Sequence, residues 1–212
     1  MSPLIDALAG TTPLIAILRG LTPEHAPAVG ERLLAAGFGA LEVPLNGPGA
    51  EDSLRALVQH AGDRALIGAG TVMSPEQVRR VAAAGGRFVV MPHGDPRVIQ
   101  ACHAEGLACV PGVATPTEAF AALAAGAVAL KLFPAQSLPP GVVAAWKAVL
   151  PDEVWLIMVG GITPESLRPY RMAGARGFGI GSVIYRPGMP LDDIERAAKE
   201  FVEAAGPLGG IN

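Results

Sequence analysis

Lys131 stands inside the apolar run Ala127-Val-Ala-Leu-Lys131-Leu-Phe-Pro134. The run reads as a buried strand with one cation near its end. Burial disfavours the charged ammonium, so such a lysine must be paired, snorkel to water, or serve as a neutral amine. A neutral amine attacks carbonyl carbons. Six other polar positions fall where strands should end: Arg19, Glu42, Thr71, His93, Thr115 and Ser182, the last beside Gly181. Each has a structural reading of its own. Arg19 could be a salt-bridged rim residue, Glu42 could neutralise a nearby cation, and Thr71 could cap a helix. Gathered in one pocket, they would put a carboxylate and hydroxyls beside two cations.

That set suits a specific chemistry. Lys131 near the permanently charged Arg19 would have a lowered pKa, from burial and from like-charge repulsion. It could form a Schiff base with a 2-oxo acid, and the iminium would accept electrons as a C–C bond breaks. Glu42 could move protons between water, hydroxyl and enamine carbon. Arg19 and Thr71 could hold a carboxylate. Val159-Gly160-Gly161 and Gly179-Ile-Gly181-Ser182 expose backbone N–H groups suited to a phosphate.

The elements that must position these groups follow from a repeated grammar. Ala-rich helices end in Gly at 37, 62, 85, 106, 126 and 174, and a short apolar strand follows each. A further strand at Val154–Val159 fills the one doubled gap, and Leu14–Leu18 is the first. The sequence thus predicts eight strands, each followed by a helix. Helix starts are marked by Thr22-Pro-Glu24, Ser74-Pro-Glu76, Thr115-Pro-Thr-Glu118 and Thr163-Pro-Glu165. Strands apolar on both faces and alternating with helices predict a parallel sheet. The α/β class follows, and a single (β/α)8 TIM barrel over residues 1–212 is the expected closure. An open doubly wound sheet is the alternative, but Gly68-Ala-Gly70 lacks the third glycine of a dinucleotide turn.

Bulk properties restrict the partners. Half the residues are hydrophobic and 17% are charged, which suits one well-buried core. A net charge of −3 gives no basis for a nucleic-acid or anionic-membrane partner. No signal peptide and no membrane span is expected, which places the chain in the cytoplasm. Cys102 and Cys109 are expected as free thiols on a helix and the next strand. His25, His60, His93 and His103 show no metal-ligand spacing.

The motifs together resemble a known family. Leu14-Ile-Ala-Ile-Leu-Arg19, Leu41-Glu-Val-Pro-Leu-Asn46, Ile67-Gly-Ala-Gly-Thr-Val72, Lys131-Leu-Phe-Pro134, Val159-Gly-Gly-Ile162 and Gly179-Ile-Gly-Ser182 look like those of the 2-dehydro-3-deoxy-phosphogluconate/phosphogalactonate aldolases. The match runs in order from about Pro13 to about Tyr185. The resemblance implies a class I aldolase without cofactor or metal, a phosphorylated 2-oxo acid as substrate, and a homotrimer. It implies Lys131 as Schiff-base lysine and Glu42 as general acid/base. Arg19 and Thr71 would bind the pyruvyl end, Gly160, Gly161, Gly181 and Ser182 the phosphate, and Pro92 and Val159 would also contact substrate. Val159 before Gly160-Gly161, with Pro44 and Asn46 in the second motif, points to the galactonate branch. Alternatives are the same chemistry on the gluconate epimer or on 4-hydroxy-2-oxoglutarate, a metal-dependent aldolase, and a non-catalytic phosphate-binding barrel. His93 has no role in this scheme.

Overall fold

The computed structural model describes residues 2–206. Its strands are β1 (Leu14–Ile17), β2 (Ala40–Pro44), β3 (Leu66–Gly70), β4 (Phe88–Val90), β5 (Ala108–Val110), β6 (Gly112–Val113), β7 (Ala129–Leu132), β8 (Trp155–Val159) and β9 (Gly177–Ile180). All paired strands are parallel, in the order β5-β4-β3-β2-β1-β9-β8-β7-β6. The two ends of that order are one stave interrupted at Pro111. Val128 N–H donates to Cys109 O at 3.1 Å and Lys131 N–H to Pro111 O at 2.9 Å, which closes the sheet on itself. The expected eight-stave barrel is therefore present, and the open sheet is excluded.

A helix follows each stave: α2 (Ala26–Ala36), α3 (Ala50–Ala61), α4 (Pro75–Ala83), α5 (Pro96–Ala104), α6 (Pro116–Ala124), α7 (Pro140–Lys147), α8 (Pro164–Met172) and α9 (Leu191–Ala205). Their N-caps are those expected at three sites. Ser74 accepts from Gln77 N–H, Thr115 and Glu118 form a reciprocal box, and Thr163 at the α8 cap donates its N–H to Ser166 Oγ at 2.9 Å. Thr22 differs. Its carbonyl accepts from His25 and Ala26 N–H, so residues 22–25 make one separate turn and α2 begins at Ala26. Helix α1 (Pro3–Gly10) carries no strong sequence signal. It plugs the barrel mouth, with Leu4, Ile5 and Leu8 packed on the interior side chains Ile15, Phe88, Trp155 and Ile157. Cys102 and Cys109 are buried free thiols on α5 and β5.

Register assigns the interior face. Residues paired across parallel strands share a face. Ile17 pairs with Glu42, and Glu42 with Gly68. Gly112 pairs with Lys131, Lys131 with Ile157, and Val159 with Gly179. Ile17, Ile157 and Val159 belong to the barrel's inner core. Glu42 and Lys131 therefore project into the same interior. Several of their neighbours on that face are glycines, and their missing side chains make room for atoms of adjacent strands, Glu42 and Phe88 among them.

Candidate active site

Glu42 and Lys131 are 3% and 8% exposed, on β2 and β7. Burial raises the Glu42 carboxyl to about 7, and the nearby charges of Lys131 and Arg19 pull against that rise. Burial lowers the Lys131 amine, the Glu42 carboxylate opposes this, and Arg19 adds to it. The three groups thus share one electrostatic environment. Among the described residues, Lys131 and Glu42 form no contact ion pair. The Lys131 Nζ instead lies 4.7 Å from the centroid of the Phe133 ring. A buried amine with a lowered pKa in the same environment as a carboxyl with a raised one is the pairing that nucleophilic and acid–base chemistry uses.

Glycine creates the space that Glu42 fills. A Cβ on Gly70 would collide with Glu42 Oε1, and its next nearest neighbours are also Glu42 atoms. Thr71 follows with φ 56, the one non-glycine residue with positive φ among the described residues. A β-branched residue there is strained, and such strain concentrates at functional loops. Thr71 is not a helix cap, since Ser74 caps α4. Pro92 packs its carbonyl against β6, where a Cβ on Gly112 would stand 2.6 Å from it. His93 has a buried Nδ1 without a hydrogen-bond partner among the described residues. Thr115 is spent on the α6 cap.

Arg19 leaves the end of β1 and donates from Nη1 to Asn46 Oδ1 at 2.6 Å. It lines a cavity of about 480 Å³ with Ile17, Val159, Gly160, Gly161, Gly181 and Ser182. Lys131, Glu42, Thr71 and Pro92 are not on this cavity's wall. Glu42 and Lys131 are linked to it through the charge of Arg19, which acts on both. On its floor, Gly179 leaves room for Val159, whose Cγ2 would stand 2.8 Å from a Cβ there. The Gly160-Gly161 loop has φ values of 103 and 65. It is pinned by Gln136, whose amide donates to Gly160 O at 3.1 Å and accepts from Gly161 N–H at 3.2 Å. The Gly161 N–H is therefore engaged within the protein. After β9, Gly181 O accepts from Ile184 and Tyr185 N–H, forming a short turn that starts at Ser182.

Four residues here were not singled out for such roles by sequence reasoning. In the sequence Gly70 is one half of a glycine pair, and nothing beside it signals the room it leaves for Glu42. Asn46 marks the branch in the sequence, and its hydrogen bond to Arg19 emerges only in the fold. Gln136 and Arg186, also on the cavity wall in the case of Arg186, had no motif to mark them. Among the described residues, no group of three or more His, Cys, Asp or Glu side chains is placed to hold a metal ion.

A model of aldolases described as the KDPG and KHG aldolase family matches residues 5–199. The chain is 47% identical over 192 residues to the 2-dehydro-3-deoxy-6-phosphogalactonate aldolase of Escherichia coli strain K12, covering 91% of this chain and 94% of that protein. A solved structure described as native KDPGal superposes with a TM-score of 0.89 at 47% identity, covering 91% of this chain and 93% of the other. The KDPG aldolase of Legionella pneumophila, solved with pyruvate captured as a covalent carbinolamine, superposes with a TM-score of 0.81 at 29% identity. That match covers 96% of this chain and 97% of the other.

Proposed function

The chain belongs to the KDPG and KHG aldolase family, and we propose that it cleaves 2-dehydro-3-deoxy-6-phosphogalactonate to pyruvate and glyceraldehyde 3-phosphate as a class I aldolase. The observation that carries the reading is the buried pair Glu42 and Lys131, with the carboxyl raised to about 7 and the amine lowered. The 47% identity to an enzyme named for that substrate supports the choice of sugar acid.

The steps balance with this chain's own groups. The neutral Lys131 amine adds to the C2 carbonyl, giving a carbinolamine. Loss of water, with a proton supplied through Glu42, leaves the iminium. Glu42 as carboxylate then takes the C4 hydroxyl proton, directly or through water. The C3–C4 electron pair moves onto C3 and into the iminium. Glyceraldehyde 3-phosphate leaves with the new C4 carbonyl, and the enamine remains. Protonation at C3 and addition of water at C2 release pyruvate and restore the amine. A carboxyl with a pKa near the working pH suits such two-way transfer. The same captured carbinolamine in the Legionella pneumophila relative supports the first step.

Arg19 and Thr71 are proposed to hold the substrate carboxylate, with Pro92 shaping that end. Gly160, Gly161, Gly181 and Ser182 are proposed to receive the phosphate by close backbone approach and the Ser182 hydroxyl. Val159 is proposed to face C4. The enzyme is further proposed to act as a homotrimer in the cytoplasm. The exposed apolar side chains Met73 and Phe120 support burial against another copy. No helix among the described residues is long and apolar enough to cross a membrane. The test is direct: the phosphogalactonate should yield pyruvate and glyceraldehyde 3-phosphate in equal amounts. Failure to release either product at substrate saturation would reject the assignment.

A further inference from the structure

The proposed phosphate end contains backbone N–H groups and one hydroxyl, none of which carries a full charge. A phosphate dianion leaving water for a partly enclosed cavity gains most from a cation. Two arginines line the cavity, Arg19 and Arg186. Arg19 is tethered to Asn46 on the β2 side. Arg186 lies four residues beyond Ser182 and lines the same cavity as Gly160, Gly161 and Gly181. Among the described residues its guanidinium has no hydrogen bond and no ion pair. An arginine bordering a cavity with its donors unspent is prepared for an anion.

Its backbone is held in place. Met189 N–H donates to Arg186 O at 3.0 Å, and Gly188 has φ 80. Arg186-Pro187-Gly188-Met189 is thus a tight turn with Pro at the second position and Gly at the third, as a type II turn requires. Pro187 packs on the loop that carries Arg19. Gly20 has φ 77 there, and a Cβ on it would stand 2.9 Å from Pro187 Cγ. The turn and the end of β1 therefore brace each other where the two arginines enter the cavity lining.

We infer that Arg186 is the phosphate-recognising cation of this enzyme, dividing the substrate's two anionic ends with Arg19. This rests on the aldolase reading above and adds the residue that selects phosphorylated over unphosphorylated 2-oxo acids. The guanidinium fork matches two phosphate oxygens, which an ammonium cannot do as well.

The test compares wild type, Arg186→Gln and Arg186→Lys. For the phosphorylated substrate, Gln should raise KM by roughly 10- to 100-fold with kcat little changed, the scale of losing a hydrogen bond to a charged group. Binding of inorganic phosphate, measured by calorimetry on the protein alone, should weaken by a similar factor. Lys should recover part of both. Turnover of unphosphorylated 2-dehydro-3-deoxygalactonate should stay level. Unchanged KM and phosphate binding in Arg186→Gln would overturn the proposal, as would equal losses on both substrates. Borohydride trapping with pyruvate, which carries no phosphate, separates the two readings. If wild type traps pyruvate and phosphate binding ignores the mutation, only Arg186's role falls. If wild type traps no pyruvate, the aldolase reading falls, and calorimetry still decides whether Arg186 binds phosphate.

Discussion

The Glu42 carboxylate occupies the volume that a side chain on Gly70 would fill. The two residues sit on adjacent strands, β2 and β3, where Pro44 pairs with Gly70. An absent Cβ on one strand therefore fixes the place of the proposed acid/base on the next. Gly70→Ala should displace the carboxylate without removing it. Forcing extra volume into a packed site costs about 1–3 kcal/mol, and a shift of a catalytic group by an ångström can cost roughly 10²-fold in rate. Denaturant unfolding and kcat for the phosphogalactonate measure the two effects. Wild-type turnover in Gly70→Ala would show that the position of Glu42 is not critical.

Glu42 should also set a pH dependence. Its carboxyl is raised from 4.5 to about 7 in the folded protein. Below 4.5 both folded and unfolded chains hold the proton. Between 4.5 and about 7 only the folded chain does, so this group's contribution to stability is lost as pH rises through that window. Glu42→Gln removes the effect. At about 1.4 kcal/mol per pKa unit, the variant should gain roughly 3 kcal/mol over wild type between pH 4 and 8, while turnover falls about 10²-fold or more. Urea unfolding of both proteins across that range provides the comparison. Parallel stability curves would contradict the raised carboxyl.

Much of this arrangement could be read from sequence because it depends on residue type at repeated positions. The Ala-Gly helix ends, the hydroxyl-Pro-acid helix starts and the doubly apolar strands specify eight β/α units, and closure follows. Lys131 and Glu42 were visible because a charged side chain in an apolar strand demands an explanation. What escaped depends on contacts between distant segments. Helix α1 is short and is stabilised by the barrel interior it covers. Gln136 reveals its role only when the loop after β7 meets the Gly160-Gly161 loop. Gly20 and Pro187 are ordinary turn residues until they are seen in contact. The strain at Thr71 cannot be read from its neighbours, because nothing in Gly70-Thr71-Val72 requires a threonine to adopt a positive φ.

Epimer choice should respond to Val159, which is buried on β8 and borders the cavity. The two sugar acids differ in configuration at C4, whose hydroxyl lies beside the bond that breaks. A Thr hydroxyl can pair with one configuration, and Val with neither. An unpaired hydroxyl in a dry site costs about 1–3 kcal/mol, so Val159→Thr should move the ratio of kcat/KM toward the gluconate epimer by roughly ten- to a hundred-fold. Kinetics of both epimers with both proteins test this. An unchanged ratio would assign stereochemical choice to Pro44 or Asn46 instead.

The central claim is that Lys131 is the amine that becomes covalently joined to substrate. Incubation with pyruvate and borohydride should reduce the imine to a stable carboxyethyl secondary amine. Peptide mass analysis should find that addition on the peptide carrying Lys131, with loss of activity in proportion to labelling. Lys131→Arg keeps the charge but should give neither labelling nor turnover. Labelling confined to Lys147 or Lys199, or full activity after quantitative reduction with pyruvate, would contradict the account.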